Sequence, residues 1–235
     1  METEMKTIGK ESGFSEDTEI HIPPNTSNNN NVTDLNKNNI GTNGADKPIK
    51  ITFKDWFKNY LNKFRTKERS PPMTTVEDMI FSFIGSILGI GLVAALHFHV
   101  TTERDFQFLI GSFAASAVLI FGAVKSPLAQ PRNLVLGHFV SAIVGCTVRV
   151  ALYNVNIAFS CALSVSIAIV AMHLTKSLHP PGGATAMIAI LNREEMWHGY
   201  FYIFMPVLTG ALAMLLVALI VNNMAPNRKY PVFWI

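Results

Sequence analysis

Residues 157–174 have the sequence IAFSCALSVSIAIVAMHL, an apolar stretch without a single Asp, Glu, Lys or Arg. A helix needs about 20 predominantly apolar residues to cross the hydrocarbon core of a bilayer. Four other stretches have a similar length and composition. They are residues 79–96, 106–124, 134–153 and 200–222. The sequence therefore predicts an all-α membrane protein, a helical bundle with five clear transmembrane helices.

The charged residues are distributed very unevenly. The chain has 235 residues, of which 49% are hydrophobic and 15% charged, against about 25% charged in a typical soluble domain. Residues 79–235 contain only eight Lys or Arg and four Asp or Glu. This disfavours a soluble enzyme. The net charge of +3 comes without a long basic face in the apolar part, so nucleic-acid binding is not expected.

Residues 182–192, GGATAMIAILN, form a shorter apolar stretch. It either crosses the bilayer as a short helix or re-enters on the side where it began. Basic residues near span ends favour the cytoplasm, and residues 47–69 contain eight basic and two acidic residues. This predicts a cytoplasmic N-terminus. The charges after each span favour the crossing, which returns the C-terminus to the cytoplasm.

The composition divides the chain into three parts: residues 1–46, 47–71 and 72–235. The first is predicted to be a disordered, Asn-rich cytoplasmic tail, because residues 25–43 contain nine Asn and almost no large apolar residue. A solvated spacer is favoured over an assembly segment. Residues 1–22 have no apolar core of the kind that marks a signal peptide. The last part is the expected transmembrane domain.

The middle part contains a basic amphipathic segment, residues 50–65, with the sequence KITFKDWFKNYLNKFR. Its large apolar residues recur at helical spacing, and lysines flank that face. This pattern is typical of a helix lying on an anionic membrane surface. The alternative is a helix packed on the cytoplasmic end of the protein's own membrane domain.

Two loops, residues 125–133 and 175–185, follow apolar spans, begin with Lys-Ser and contain proline. Two crossings separate them, so they are expected on the same side of the membrane. Their similarity is either a weak internal repeat or chance. Small residues at four-residue spacing, Gly85 with Gly89 and Gly137 with Ser141 and Gly145, predict closely packed helices.

The second loop has the pattern of a helix start, because His179 is followed by Pro180 and Pro181 and then by two glycines. Free backbone N–H groups at such an end can bind an anion, and glycine allows close approach. The alternative is that both loops only turn the chain. The candidate anion-binding residues are Lys125, Arg132, Asn133, Lys176, His179, Pro180, Pro181, Gly182, Gly183, Ala184 and Thr185.

No catalytic motif, metal site or cofactor site is predicted. His138, His173 and His179 lack close ligand spacing and are expected to form hydrogen bonds within the bundle. For Arg149, snorkelling to the outer interface is favoured over contact with a substrate. Expected partners are the lipid bilayer, a small inorganic anion and anionic lipid at residues 50–65, and a homo-oligomer is left open.

Three segments resemble the HPP family of integral membrane proteins. They are residues 179–187 (HPPGGATAM), residues 121–145 (FGAVKSPLAQPRNLVLGHFVSAIVG), and the closing Asn222-Asn223 with residues 230–234 (YPVFW). The resemblance covers about residues 72–235. Some members of this family, in photosynthetic lineages, are regarded as nitrite transporters. The resemblance thus implies a membrane transporter of a small anion, with nitrite as the candidate. The alternative is a non-transporting membrane protein that recruits lipid or protein partners through its N-terminal region.

Overall fold

The computed structural model describes residues 52–66, 68–100, 111–152, 155–192 and 199–235, and all regular secondary structure in these ranges is helical. The chain divides into two units between Pro71 and Pro72. The predicted tail, residues 1–46, lies outside the described residues. The helices are α1 (Phe53–Asn62), α2 (Val76–Val100), α3 (Gly111–Gly122), α4 (Pro131–Ala151), α5 (Ile157–Leu174), α6 (Pro180–Leu191) and α7 (Ile203–Met224).

Helix α1 belongs to the first unit and follows the predicted amphipathic pattern. None of its residues is buried. Its aromatic rings form one continuous row, in which Trp56 stacks on both Phe53 and Tyr60 with ring centroids 5.7 Å apart. Phe57 and Phe64 extend the row against Tyr60.

Within the described ranges, four helices of the second unit are long and apolar enough to cross a membrane. They are α2 (over Val76–Phe98), α4, α5 and α7. The fifth predicted span, residues 106–124, coincides only with α3, which begins at Gly111 where the described residues resume. The described part of α3 and the whole of α6 are shorter apolar helices. The predicted count of five is therefore confirmed for four helices.

Helices α4 and α6 begin at the same end of the bundle, which we call the proline end after Pro131 and Pro180. There, Asn133 Nδ2 donates to the carbonyl oxygen of Leu178 at 2.8 Å. At the far end of α4, Arg149 Nη1 donates to the carbonyl oxygen of Ala189 at 2.8 Å. Helix α6 thus runs beside α4 from one end towards the other, and it does not turn back before Leu191.

Small residues allow α4 and α6 to approach closely, as their spacing predicts. A Cβ atom added at Gly137 would lie 2.4 Å from His179 Cβ, and one at Gly145 would lie 2.5 Å from the Ala186 carbonyl oxygen. Gly85 on α2 likewise faces the ring of Phe121, and a Cβ atom added there would lie 2.3 Å from a carbon of that ring. A side chain at Gly137 or Gly145 would meet backbone atoms of the neighbouring segment, and one at Gly85 would force the Phe121 ring to shift.

Two arginines donate to the carbonyl ends of the two short helices. Arg228 Nη1 donates to the Phe121 carbonyl oxygen at the end of α3 at 3.1 Å, and its Nε pairs with Asp78 at 2.8 Å. Arg149 donates to carbonyl groups at the end of α6, including that of Asn192 at 2.6 Å. The last carbonyl groups of a helix have no partner within the helix, so these ends need donors inside the bundle.

The favoured expectation for Arg149 was wrong. Only 8% of this residue is exposed, and its guanidinium points to α6 instead of reaching the surface. The physical reason is that α6 ends within reach of α4, and its final carbonyl groups accept the hydrogen bonds that the guanidinium would otherwise donate to water or lipid headgroups.

Candidate functional site

Four polar side chains form a continuous hydrogen-bonded cluster in the core of the bundle, the His138–His179 cluster. Ser116 Oγ lies 2.8 Å from His138 Nε2 and 3.0 Å from His179 Nε2, so one hydroxyl bridges two imidazoles. His138 Nδ1 lies 2.7 Å from Thr185 Oγ1. Each of the four residues has no exposed surface.

The proline end holds the cluster in place through His179. This residue is the N-cap of α6, and its Nδ1 lies 3.0 Å from the Leu128 carbonyl oxygen in the other loop. His138 lies seven residues after Pro131 on α4, and Thr185 lies five residues after Pro180 on α6. At 1.5 Å per residue, these two positions are roughly 8–10 Å inside the bundle.

Three buried hydroxyl or carbonyl groups lie within one helical turn of the cluster. The Ser112 carbonyl oxygen lies 3.1 Å from Ser116 Oγ. The hydroxyls of Ser112 and Ser141 are buried and have no hydrogen-bond partner among the described residues. Ser141 lies three residues after His138 and faces Gly182 on α6. These two hydroxyl groups can therefore donate hydrogen bonds to a solute that approaches the two imidazoles.

The two predicted loops do meet at the proline end. Arg132 Nη2 donates to the Thr175 carbonyl oxygen at 2.9 Å, which joins the beginning of α4 to the second loop. Lys125 and Lys176 are exposed, whereas Arg132 is half-buried and Asn133 is buried. The loops thus bring three cationic side chains to one end of the bundle.

The remaining predicted site residues lie on the first turns of α6. Pro180 is exposed and Ala184 is half-buried, while the others are buried. A Cβ atom at Gly182 would lie 2.7 Å from Ser141 Oγ and 2.9 Å from the Gly137 carbonyl oxygen. At Gly183 the nearest atom, Val165 Cγ1, is 3.6 Å away. The close approach at Gly182 is therefore to α4.

The expectation of hydrogen-bonded histidines is confirmed for His138 and His179. His173 is different, because it lies exposed at the end of α5 and is not part of the cluster. The sequence interpretation missed Ser116. The available signal was the four-residue spacing of Ser112 and Ser116 inside an apolar helix, which places two hydroxyls on one face.

The arrangement places side chains that can bind and exchange protons inside an apolar bundle. Imidazole changes its charge near physiological pH and exchanges protons readily. Ionisable groups inside a membrane domain are expensive to bury and usually serve function. Among the residues that the structure describes, no group of three or more His, Cys, Asp or Glu is placed to hold a metal ion.

The comparisons with known proteins agree with the sequence resemblance. Over 188 residues, the chain is 57% identical to one transmembrane protein of Dictyostelium discoideum and 50% identical to another. These alignments cover 79% of this chain but only 60% and 65% of the two relatives. No solved structure matches the chain. The family model described as "HPP, transmembrane region" matches residues 71–231, and this chain belongs to the HPP transmembrane family.

Proposed function

We propose that this protein transports a small anion across the membrane, with nitrite as the candidate substrate by family resemblance. The His138–His179 cluster is the observation that carries the proposal. Burying polar groups in an apolar bundle costs free energy unless they form hydrogen bonds. Ionisable groups inside a membrane domain usually serve a function. The cluster and the two unpartnered serine hydroxyls would give a small polar solute hydrogen bonds on its way through the bundle.

The proline end supplies the electrostatic attraction that an anion needs. Lys125 and Lys176 are exposed there, and Arg132 keeps its Nε buried without a hydrogen-bond partner in the described structure. A group of like charges at an entrance raises the local concentration of the opposite ion. In this proposal these three residues gather the anion, and the cluster behind them passes it on.

Uptake of nitrite into liposomes that contain the purified full chain tests the proposal. Arg132→Gln should raise the half-saturating nitrite concentration roughly fivefold, which corresponds to about 1 kcal/mol for one nearby charge in a watery setting. Arg132→Lys keeps the charge and should retain most of the affinity. Lys229→Gln removes an exposed charge from the C-terminal segment, outside the two loops, and should raise this concentration less than Arg132→Gln does.

Two results would count against this reading. Uptake equal to that of protein-free liposomes, for nitrite, nitrate and formate alike, would reject transport of a small anion. Normal uptake by Arg132→Gln with an unchanged half-saturating concentration would keep transport but remove the proline end as its entrance.

The row of exposed aromatic rings on α1 favours a second candidate function. A non-transporting membrane protein that recruits lipid or protein partners needs such an accessible surface, and every residue of α1 is exposed. This candidate and the first differ in the liposome assay, because only a transporter moves solute when no partner is present.

A further inference from the structure

We infer that the His138–His179 cluster binds and relays a proton, and that the transported anion moves together with that proton. This inference rests on the proposed function and names its coupling ion. It follows from a count of the hydrogen atoms that the contacts of the cluster require.

Five short contacts connect the cluster, and each needs one hydrogen. Four of them are Thr185 with His138, His138 with Ser116, Ser116 with His179, and His179 with the Leu128 carbonyl oxygen. The fifth is Ser116 with the Ser112 carbonyl oxygen. Two hydroxyls and two neutral imidazoles supply only four hydrogens. The neutral cluster is therefore one hydrogen short of these five contacts. A sixth, longer contact, from the Thr185 hydroxyl to the Pro181 carbonyl oxygen at 3.4 Å, also lacks a hydrogen in this state.

The neutral cluster has one arrangement that fills the first four contacts. A carbonyl oxygen only accepts, so His179 must carry its hydrogen on Nδ1 and donate to Leu128. His179 Nε2 then accepts from the Ser116 hydroxyl, Ser116 Oγ accepts from His138 Nε2, and His138 Nδ1 accepts from the Thr185 hydroxyl. All four donors point along one path towards the proline end.

One added proton fills the fifth contact as well. If His179 becomes an imidazolium, its Nε2–H and the His138 Nε2–H both donate to Ser116 Oγ, and the Ser116 hydroxyl turns to the Ser112 carbonyl oxygen. A hydroxyl oxygen has two lone pairs and can accept both bonds. The cluster then carries one more hydrogen and one positive charge, and no other bond has changed.

The same path can move a proton by successive transfers. A proton that arrives on Thr185 Oγ1 releases the original hydroxyl hydrogen to His138 Nδ1. His138 passes its Nε2 hydrogen to Ser116, and Ser116 passes its own to His179 Nε2. One proton has entered at Thr185 and one more is held by His179, so hydrogens and charge balance. In this second protonated form His138 carries its hydrogen on Nδ1 and the Ser116 hydroxyl donates to His138 Nε2. The Thr185 hydroxyl then donates to the Pro181 carbonyl oxygen at 3.4 Å, and the contact with Ser112 stays unfilled.

The charge explains why an anion should travel with the proton. An imidazolium in the core lacks the solvation that water provides, and an anion there suffers the same penalty. Placed together, each offsets much of the other's cost. The unpartnered hydroxyls of Ser112 and Ser141 can donate to the anion, so the loaded pair is neutral and better bonded than either ion alone.

The described structure places few other charges against the cluster. From α7 and the segment before it, Tyr202 donates its hydroxyl to the Thr185 carbonyl oxygen at 3.2 Å. From α4, Arg132 is held at the Thr175 carbonyl oxygen. His173 and Lys176 at the end of α5, and Lys125 before α4, are exposed. The described part of α3 brings Ser112 and Ser116 and no ionisable side chain.

Reconstituted liposomes with an internal pH indicator test the coupling. An acid external buffer should drive nitrite accumulation and internal acidification together, one proton for each nitrite, after subtraction of the leak of nitrous acid into protein-free liposomes. Because the pair is neutral, an imposed membrane potential should change neither rate. His138→Gln, His179→Gln and Ser116→Ala should each lose the acid-driven component, whereas His173→Gln should behave like the unmodified protein.

Histidine labelled with ¹⁵N in the full chain gives a readout that does not need transport. At neutral pH, His138 should carry its hydrogen on Nε2 and His179 on Nδ1. Lowering the pH with nitrite present should convert His179 to the doubly protonated form at a higher pH than without nitrite. Spectra with the reverse tautomers, or without any effect of nitrite, would overturn the proton relay whatever the uptake assay shows.

The uptake results separate the two proposals. Nitrite uptake that ignores the pH gradient and brings no internal acidification overturns the coupling and leaves the transporter standing. An absence of nitrite uptake overturns transport of that anion. In that case, dissipation of a pH gradient by the unmodified protein but not by Ser116→Ala would support the relay alone, and no dissipation by either would reject it.

Discussion

At the scale of single residues, Arg149 shows how one side chain determines where a helix can end. It donates to the carbonyl oxygens of Ala189, Ile190 and Asn192. Leaving a buried polar group unsatisfied costs about 1–3 kcal/mol. We expect Arg149→Gln to lower the free energy of unfolding by roughly that amount, measured as a lower midpoint of thermal unfolding in detergent.

The control for this prediction is Lys229→Gln, which removes a positive charge from an exposed position and should leave the midpoint unchanged. A midpoint for Arg149→Gln that equals the control's would mean that the arginine is not needed at the end of α6. Arg149 would then be open again to the role in substrate contact that the sequence also allowed.

The two neighbouring glycines of α6 offer a matched pair of variants. A methyl group at Gly182 would meet Ser141 Oγ, the Gly137 carbonyl oxygen and Met172 Sδ, all within 3.0 Å. Overpacking of this kind costs about 1–3 kcal/mol. Gly183 has room for a methyl group, with its nearest contact at 3.6 Å, and alanine is the better helix former by up to about 1 kcal/mol.

We therefore expect Gly182→Ala to lower the unfolding midpoint and Gly183→Ala to keep or raise it. The result that contradicts this packing argument is an equal loss in both variants. If Gly183→Ala is stable but no longer takes up nitrite in liposomes, close approach to the backbone at Gly183 is required for transport and not for folding.

At the scale of elements, the sequence predicts the long helices well and the short ones poorly. Residues 157–174 are so uniformly apolar that the predicted span and the observed α5 have the same bounds. Helix α6 is harder, because its twelve residues fit a crossing or a re-entrant segment equally by length. Contacts with α4 near both ends show that α6 runs alongside that span up to Leu191, and those contacts involve backbone carbonyl groups that leave no trace in the sequence.

The exposed aromatic and basic side chains of helix α1 predict that this segment binds anionic membranes. A peptide of residues 47–71 contains Trp56 as its only tryptophan. We expect its fluorescence to shift to shorter wavelength with vesicles that contain phosphatidylserine, and less so at high salt, because screening weakens lysine attraction to anionic lipid. Phe57→Asp should weaken partitioning roughly tenfold or more, since burying a Phe side chain contributes about 1.5–3 kcal/mol.

Asn62→Asp is the matched control, because it adds the same charge on the opposite face of α1. Both variants should lose the same small electrostatic part, and only Phe57→Asp should lose the apolar part. Equal binding by the two variants would indicate that charge alone attracts the segment, and it would favour packing or partner binding over insertion into lipid.

At the scale of the whole molecule, the candidate site was predictable in position but not in composition. The two crossings between residues 125–133 and 175–185 predicted that these loops lie on the same side, and the bonds of Arg132 and Asn133 to the second loop show that they also touch. The inward half of the site was missed because Ser116 approaches the two imidazoles only through packing of α3 against α4 and α6. Residues that are 22 and 63 positions apart meet there.

Of the six Lys and Arg residues that the structure describes in the second unit, all but Arg149 lie at one end, which leads to the last prediction. Lys125, Arg132 and Lys176 lie in the two loops of the proline end. The C-terminal segment returns there, because Arg228 pairs with Asp78 at the beginning of α2 and Tyr230 donates to the Ala129 carbonyl oxygen at 2.8 Å. Positively charged loops remain on the cytoplasmic side of a membrane, so we expect the proline end to face the cytoplasm.

Cysteine accessibility in intact cells measures this orientation. In a background with Cys146 and Cys161 replaced by Ala, Lys176→Cys should react with a membrane-impermeant maleimide only after permeabilisation. Tyr200→Cys, exposed at the opposite end where the Tyr200 hydroxyl lies 3.2 Å from Thr147 Oγ1, should react without it if the protein is in the plasma membrane. In an internal membrane the two should differ instead after selective opening of the plasma membrane, with Lys176→Cys labelled first. The reverse order of labelling would place the cationic entrance on the outer or lumenal side and would overturn the predicted orientation.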